Sequence, residues 1–175
     1  MTTLETRPAP RSAGSPAADF ILTATDGQTY NTKAARANGL LLLAMVKTGC
    51  GTCKYAYPYI QRFHEQYAVP SNGRFQVWGV SQDDAEKTVT FAQENGNATF
   101  PALLDPDLSA TGQYGITNVP DLYLLDEGDT IQAAIVGHFS TEGYNDLGRL
   151  LADRLGLPYT PIVREEDDAP ALKPG

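Results

Sequence analysis

At 175 residues the chain is long enough for one domain with a proper core, and its net charge of −8 argues against nucleic acid or an anionic membrane as partner. No apolar run approaches the roughly 20 residues that span a bilayer, and no apolar stretch of signal-peptide length follows the start. A cytoplasmic location is therefore the default expectation, with an exported origin left open if the N-terminus is altered.

Residues 1–19 are rich in Thr, Pro, Ala and Ser without apolar period and read as a mobile arm. Phe20 to Asn31 predicts a hairpin about the Asp26-Gly27 turn, and Thr32 is placed to cap a short helix ending at Asn38-Gly39. Leu40 to Val46, seven apolar residues in a row, reads as a strand buried on both faces. The pattern then turns helical: Ala56, Tyr59, Ile60, Phe63 and Tyr67 form one face, with Gln61, Arg62, Glu65 and Gln66 opposite. Further on come a strand from Phe75 to Val80 carrying Trp78 on a packing face, and a helix with an Ala85, Thr88, Val89, Ala92 stripe. Asp83, Asp84 and Glu86 fall in that helix's first turn, complementing its dipole. A short extended piece at Phe100 to Leu104 and a helical turn at Pro106 to Gly112 follow. Leu122 to Leu125 and Ile131 to Val136 then predict a closing hairpin, and Tyr144, Leu147, Leu150, Leu151 and Leu155 a final helix. Residues 158–175, with four prolines and the acidic block Glu165 to Asp168, read as a tail.

The only two cysteines lie at C-x-x-C spacing, Cys50-Gly51-Thr52-Cys53, where the buried strand hands over to a helix N-terminus. Unpaired N–H groups and the positive end of the helix dipole stabilise a thiolate there, so Cys50 is expected to be the reactive thiol and Cys53, one turn further in, its resolving partner. Five basic residues and no acid lie between Gly27 and His64, and of these Lys47 and Lys54 flank the cysteines as candidate modulators. A zinc site would need a second ligand pair, and only His64 and His138 are available, so no metal is expected. An inert disulfide closing so short a loop would stabilise little. Redox chemistry is the better use of the pair.

Cys50-Gly51-Thr52-Cys53-Lys54 followed by Pro58 resembles the active-site helix of thioredoxins, and Tyr114-Gly115-Ile116-Thr117-Asn118-Val119-Pro120 resembles that family's cis-proline segment. Seventy positions separate Cys50 from Pro120. That interval, with Gly79 to Asp84 and Phe100 to Asp105, is similar to the TlpA/ResA-like and peroxiredoxin (redoxin, AhpC/TSA-related) branches. The resemblance covers about residues 18–157. It implies an α/β thioredoxin-like fold over residues 20–157: a central mixed sheet flanked by helices, an N-terminal β-hairpin extension and an inserted strand-helix unit. It further implies a cis bond before Pro120, with Val119, Gly51 and Thr52 meeting a substrate strand.

The activity implied is thiol–disulfide exchange without an organic cofactor, reducing protein disulfides and being recharged by an upstream thiol reductant. Neither proton acceptor usual in the family is present, since Ala44 and Ala56 occupy those positions. Asp121 is the one acid that can be nominated near the sulfurs, as a proton relay for Cys53 or a substrate selector; its plainer reading is a solvated loop aspartate. Two other classes stay open. A Sco-like copper protein would use Cys50, Cys53 and His138. A thiol peroxidase would want proline and hydroxyl residues where Leu43 and Lys47 stand.

Overall fold

The computed structural model describes residues 9–175. A five-stranded sheet forms the centre, in the order β5-β4-β3-β6-β7. The middle strand β3 (Leu40–Val46) is buried at every position, as its unbroken apolar run dictates. On one side β4 (Phe75–Ser81) and β5 (Ala102–Leu104) run parallel to it; on the other β6 (Asp121–Leu125) runs antiparallel to β3, and β7 (Ala133–Val136) antiparallel to β6. The sheet is therefore mixed, as expected. A separate hairpin of β1 (Ile21–Thr23) and β2 (Thr29–Asn31) precedes it.

Helix α1 (Thr32–Arg36) is capped by Asn31, whose side chain accepts from Ala34 N–H, one residue earlier than the cap expected at Thr32. Thr32 is instead buried and its hydroxyl donates to Asp19. Helix α2 (Gly51–Phe63) lays Cys53, Ala56, Tyr57, Ile60 and Phe63 inward and continues as a π-helical turn, His64–Ala68. Gln61 departs from the polar face assigned to it. It is buried, its amide nitrogen donating to Thr99 Oγ1 at 2.9 Å and its carbonyl accepting from Thr99 N–H at 3.0 Å, so a side chain of polar type closes the gap between α2 and the loop before β5.

Helix α3 (Ala85–Glu94) begins at the Asp84 cap, and its buried side chains are Thr88 and Phe91. The expected stripe put Val89 inward, whereas Val89 is exposed. Phe91 takes the inward place because its ring packs edge-to-face against Tyr57, with ring centroids 4.6 Å apart. A short α4 (Ser109–Gln113) leads to the segment before β6. The final helix α5 (Thr141–Leu155) buries Tyr144, Leu147, Leu151 and Leu155. Between α2 and α5, Phe139 packs against Tyr55, Tyr59 and Tyr144.

Both flanking segments bear on the domain. Of the arm assigned to residues 1–19, residues 1–8 lie outside the described residues. Beyond them, Arg11 donates to the Gln113 carbonyl, Gly14 N–H to Ile131 O and Ala17 N–H to Asp129 O. Arg36, almost wholly buried, makes a two-pronged ion pair with Asp19. At the other end Ile162 and Val163 are buried, Arg62 grips Asp167 through two bonds of 2.6 and 2.9 Å, and β9 (Leu172–Pro174) pairs antiparallel with β8 (His138–Ser140).

Candidate active site

Sheet register explains how residues 70 positions apart come together. Because β6 runs antiparallel to β3, its first residue pairs with the end of β3: Met45 faces Asp121 and Ala44 faces Leu122. The loop leaving β3 therefore carries Cys50 to the same edge where the chain enters β6 through Val119 and Pro120. The Val119–Pro120 peptide bond is cis, as the resemblance implies.

Cys50 is the N-cap of α2, and its sulfur accepts the Cys53 backbone N–H at 3.2 Å. The Cys50 thiol in turn donates to the Val119 carbonyl at 3.5 Å. Cys50 is half-buried and Cys53 completely buried; both are free thiols. Burial pushes the Cys53 thiol far above its ordinary range, and the hydrogen bond from Cys50 and the charges of Cys50 and Asp121 add to the rise. Cys50 is thus the reachable sulfur and Cys53 the one that must be helped to lose its proton.

Asp121 is not the solvated loop residue of the plainer reading. As the first residue of β6 it is fully buried, with Oδ1 accepting from Gly137 N–H at 2.6 Å and Oδ2 from the Tyr123 hydroxyl at 3.0 Å. Burial pushes its carboxyl up to about 6, against the opposing pull of those two donors and of His138. The Tyr144 hydroxyl, also fully buried, has no hydrogen-bond partner among the described residues. Burial raises it strongly, with the charges of Cys53 and Asp121 contributing. Asp121 and Tyr123 thus form a buried hydrogen-bonded pair, and the Asp121 charge bears on the buried Cys53 and Tyr144 groups.

A groove of about 470 Å³ opens in front of Cys50, between Gly51, Thr52 and Val119, with Lys47 on its rim. Lys54 lies elsewhere, in a cleft with Asp84, Glu86 and Lys87. The loop before Cys50 is held by Asp83, whose carboxylate accepts both the N–H and the hydroxyl of Thr48, at 2.7 and 2.8 Å. Asp105, buried before α4, accepts from the N–H groups of Ala110 and Thr111 and so fixes the start of the segment that ends at Pro120. Neither role shows in the sequence, where both acids sit in ordinary helix-start positions.

The copper set proposed from the sequence is not assembled. His138 turns Nδ1 toward the Val136 carbonyl at 2.9 Å and borders a different cleft, with Ile135, Ser140 and Gly143. Among the described residues no three His, Cys, Asp or Glu side chains are grouped as metal ligands.

Residues 13–134, well over half of the chain, match the pattern that defines the AhpC/TSA family. The chain belongs to that family. It is 24% identical over 131 residues to the thiol-disulfide oxidoreductase ResA of Geobacillus thermodenitrificans, covering 75% of this chain and 73% of that protein. It is 26% identical over 122 residues to the thiol:disulfide interchange protein DsbE of Escherichia coli K12, covering 68% of this chain and 62% of that one. In three dimensions it resembles a putative DsbE from Chlorobium tepidum, with a TM-score of 0.71, 21% identity, 85% of this chain covered and 100% of the other. The thioredoxin-like fold, with helices flanking a mixed sheet, is the fold of this AhpC/TSA protein, and no helix among its described residues is long and apolar enough to cross a membrane.

Proposed function

We propose that this protein is a thiol:disulfide oxidoreductase that reduces protein disulfides through Cys50 and Cys53. The observation that carries the reading is the half-exposed Cys50 sulfur at the start of α2, 3.5 Å from the carbonyl of the residue before the cis-proline, with Cys53 buried behind it. In the first step the Cys50 thiolate attacks one sulfur of a substrate disulfide; that bond breaks, one substrate thiolate leaves, and a mixed disulfide remains. Cys53 then gives up its proton and attacks the Cys50 sulfur, releasing the second substrate thiolate. Two electrons have passed to the substrate and a Cys50–Cys53 bond remains for an upstream dithiol to reopen.

Asp121 is the proton acceptor for Cys53. It is a buried carboxylate, titrating near 6, whose charge already bears on the Cys53 thiol. The value suits a general base working near neutral pH. Gly51, Thr52 and Val119 line the substrate groove, with Lys47 and Lys173 as its cations. In a reducing compartment such as the cytoplasm the pair rests as dithiol, ready to donate electrons.

Membership of the AhpC/TSA family leaves peroxide reduction as the competing activity. Leu43, a fully buried strand residue, and Lys47 supply neither the turn nor the hydroxyl that such a reaction would use beside the attacking sulfur. The test is reduction of insulin by dithiothreitol with the protein as catalyst. Wild type accelerates it, Cys50→Ser abolishes the acceleration, and Cys53→Ser, pre-reduced and mixed with insulin after dithiothreitol is removed, accumulates a mixed disulfide on Cys50. Full activity in Cys50→Ser, or turnover of hydrogen peroxide without insulin reduction, would overturn the assignment.

A further inference from the structure

The groove beside Cys50 is already partly filled by the chain itself. Strand β9 lies along β8 with Pro174 opposite His138, and beyond it Gly175 N–H donates to the Gly137 carbonyl at 2.9 Å. The Thr52 hydroxyl, in the middle of the Cys50–Cys53 motif, donates to the Pro174 carbonyl at 2.6 Å. Gly175 then sits directly on the Val119 carbonyl, the same oxygen that the Cys50 thiol faces, so that a methyl group added at Gly175 would overlap it. Lys173 and Gly175 line the groove opposite Lys47. An extended segment held by main-chain pairing, against Thr52 and Val119, has the form of a bound peptide strand.

We infer that residues 172–175 are the specificity-determining segment of this site, an intramolecular strand that an extended polypeptide must displace to reach Val119, while a small disulfide reaches Cys50 past it. The inference rests on the exchange reading above. Its physical basis is competition for one surface: the Thr52 hydroxyl and the Gly137 carbonyl bond the chain's own strand, which also covers the Val119 carbonyl, and the same groups can serve an incoming strand. Because the resident strand is tethered, it is present at high effective concentration, and only substrates with several residues of main chain can replace its contacts. The segment thereby sets a threshold on substrate length.

The experiment uses Cys53→Ser, in which Cys50 forms a stable mixed disulfide. One sample is loaded with a ten-residue peptide carrying a single cysteine activated as its thionitrobenzoate disulfide, the other with 2-mercaptoethanol activated in the same way. Amide hydrogen exchange across 171–175 is expected to rise tenfold or more in the peptide adduct and to stay within twofold of the unmodified protein in the small adduct. A second variant, Gly175→Ala in the wild-type background, puts a methyl group against the Val119 carbonyl and so loosens the seat of the segment, at a residue that is itself solvent-exposed. It is expected to raise the rate constant for insulin reduction at least threefold while the reaction with 5,5′-dithiobis(2-nitrobenzoic acid) changes by less than twofold. Equal protection of 171–175 in both adducts, or an unchanged insulin rate in Gly175→Ala, would show the segment to be a structural staple and overturn the inference. If Cys53→Ser forms no adduct with either probe, the exchange reading itself falls, and the inference with it.

Discussion

At the scale of single residues, Asp121 joins stability and chemistry in opposite directions. Its carboxyl titrates near 6 in the folded chain against an unfolded value of 3.8, because burial penalises the charged form. Folding therefore favours the protonated acid. Its contribution is fully present below about pH 4 and is lost as pH rises through 6, a cost of roughly 2–3 kcal/mol at neutral pH. Asp121→Asn removes that cost, so urea unfolding should show the variant gaining on wild type between pH 4.5 and 7.5; a pH-independent difference would contradict the burial argument. The same substitution should slow the Cys53 resolving step about tenfold at pH 7 and erase an inflection near pH 6 in its rate profile, measured by single-turnover release of the second substrate thiol. A side chain that serves structure alone would not slow the reaction while stabilising the fold. From the sequence, Asp121 was legible as the only acid near the sulfurs, but its burial was not. The residue after a proline reads as loop, and only the start of β6 at that very position puts it inside.

At the scale of elements, strong patterns survived and weak ones shifted phase. The unbroken apolar run of β3 and the aromatic face of α2 each specify one orientation, and both are found as read. The stripe of α3 was built from small and β-branched residues that bind weakly to any face. Its phase was decided instead by Phe91, which joins Tyr57 and Phe100 in an aromatic set that no local period reveals. The closeness of that set gives a prediction for β4. A methyl group at Gly79 would lie 2.7 Å from the Tyr57 hydroxyl and 3.2 Å from the Phe100 ring, so α2 packs over a strand position that admits only hydrogen. Gly79→Ala should lower stability by about 1–3 kcal/mol in urea unfolding. No loss would mean that the Tyr57 ring yields without consequence. Gln61 teaches the same lesson from the polar side, since its helical position is solvent-facing by period and is buried only because the Thr99 loop closes over it.

At the scale of the whole molecule, the two sequence motifs meet through one antiparallel step, β3 to β6, within the mixed sheet that the thioredoxin-like resemblance implied; the strand order itself shows only in the structure. The two ends of the chain were the least legible part. Residues 158–175 carry little apolar content, yet Ile162 and Val163 are buried and three further residues form a strand at the active site. Their anchors are long-range pairs, Arg62 with Asp167 and Thr52 with Pro174, and such pairs leave no periodic trace in the segments that make them. The fold thus brings both of its described flanks onto a domain in which the proposed point of function is the half-buried Cys50 sulfur. That claim is tested most directly by equilibrating the protein in thiol–disulfide buffers of graded potential, trapping free thiols by alkylation and counting them by mass. Cys50 and Cys53 are expected to titrate together as one two-electron step, in the strongly reducing range of thioredoxin, about −270 mV. Two thiols persisting at every potential would contradict the exchange mechanism, and a midpoint near −120 mV would contradict its reductive direction.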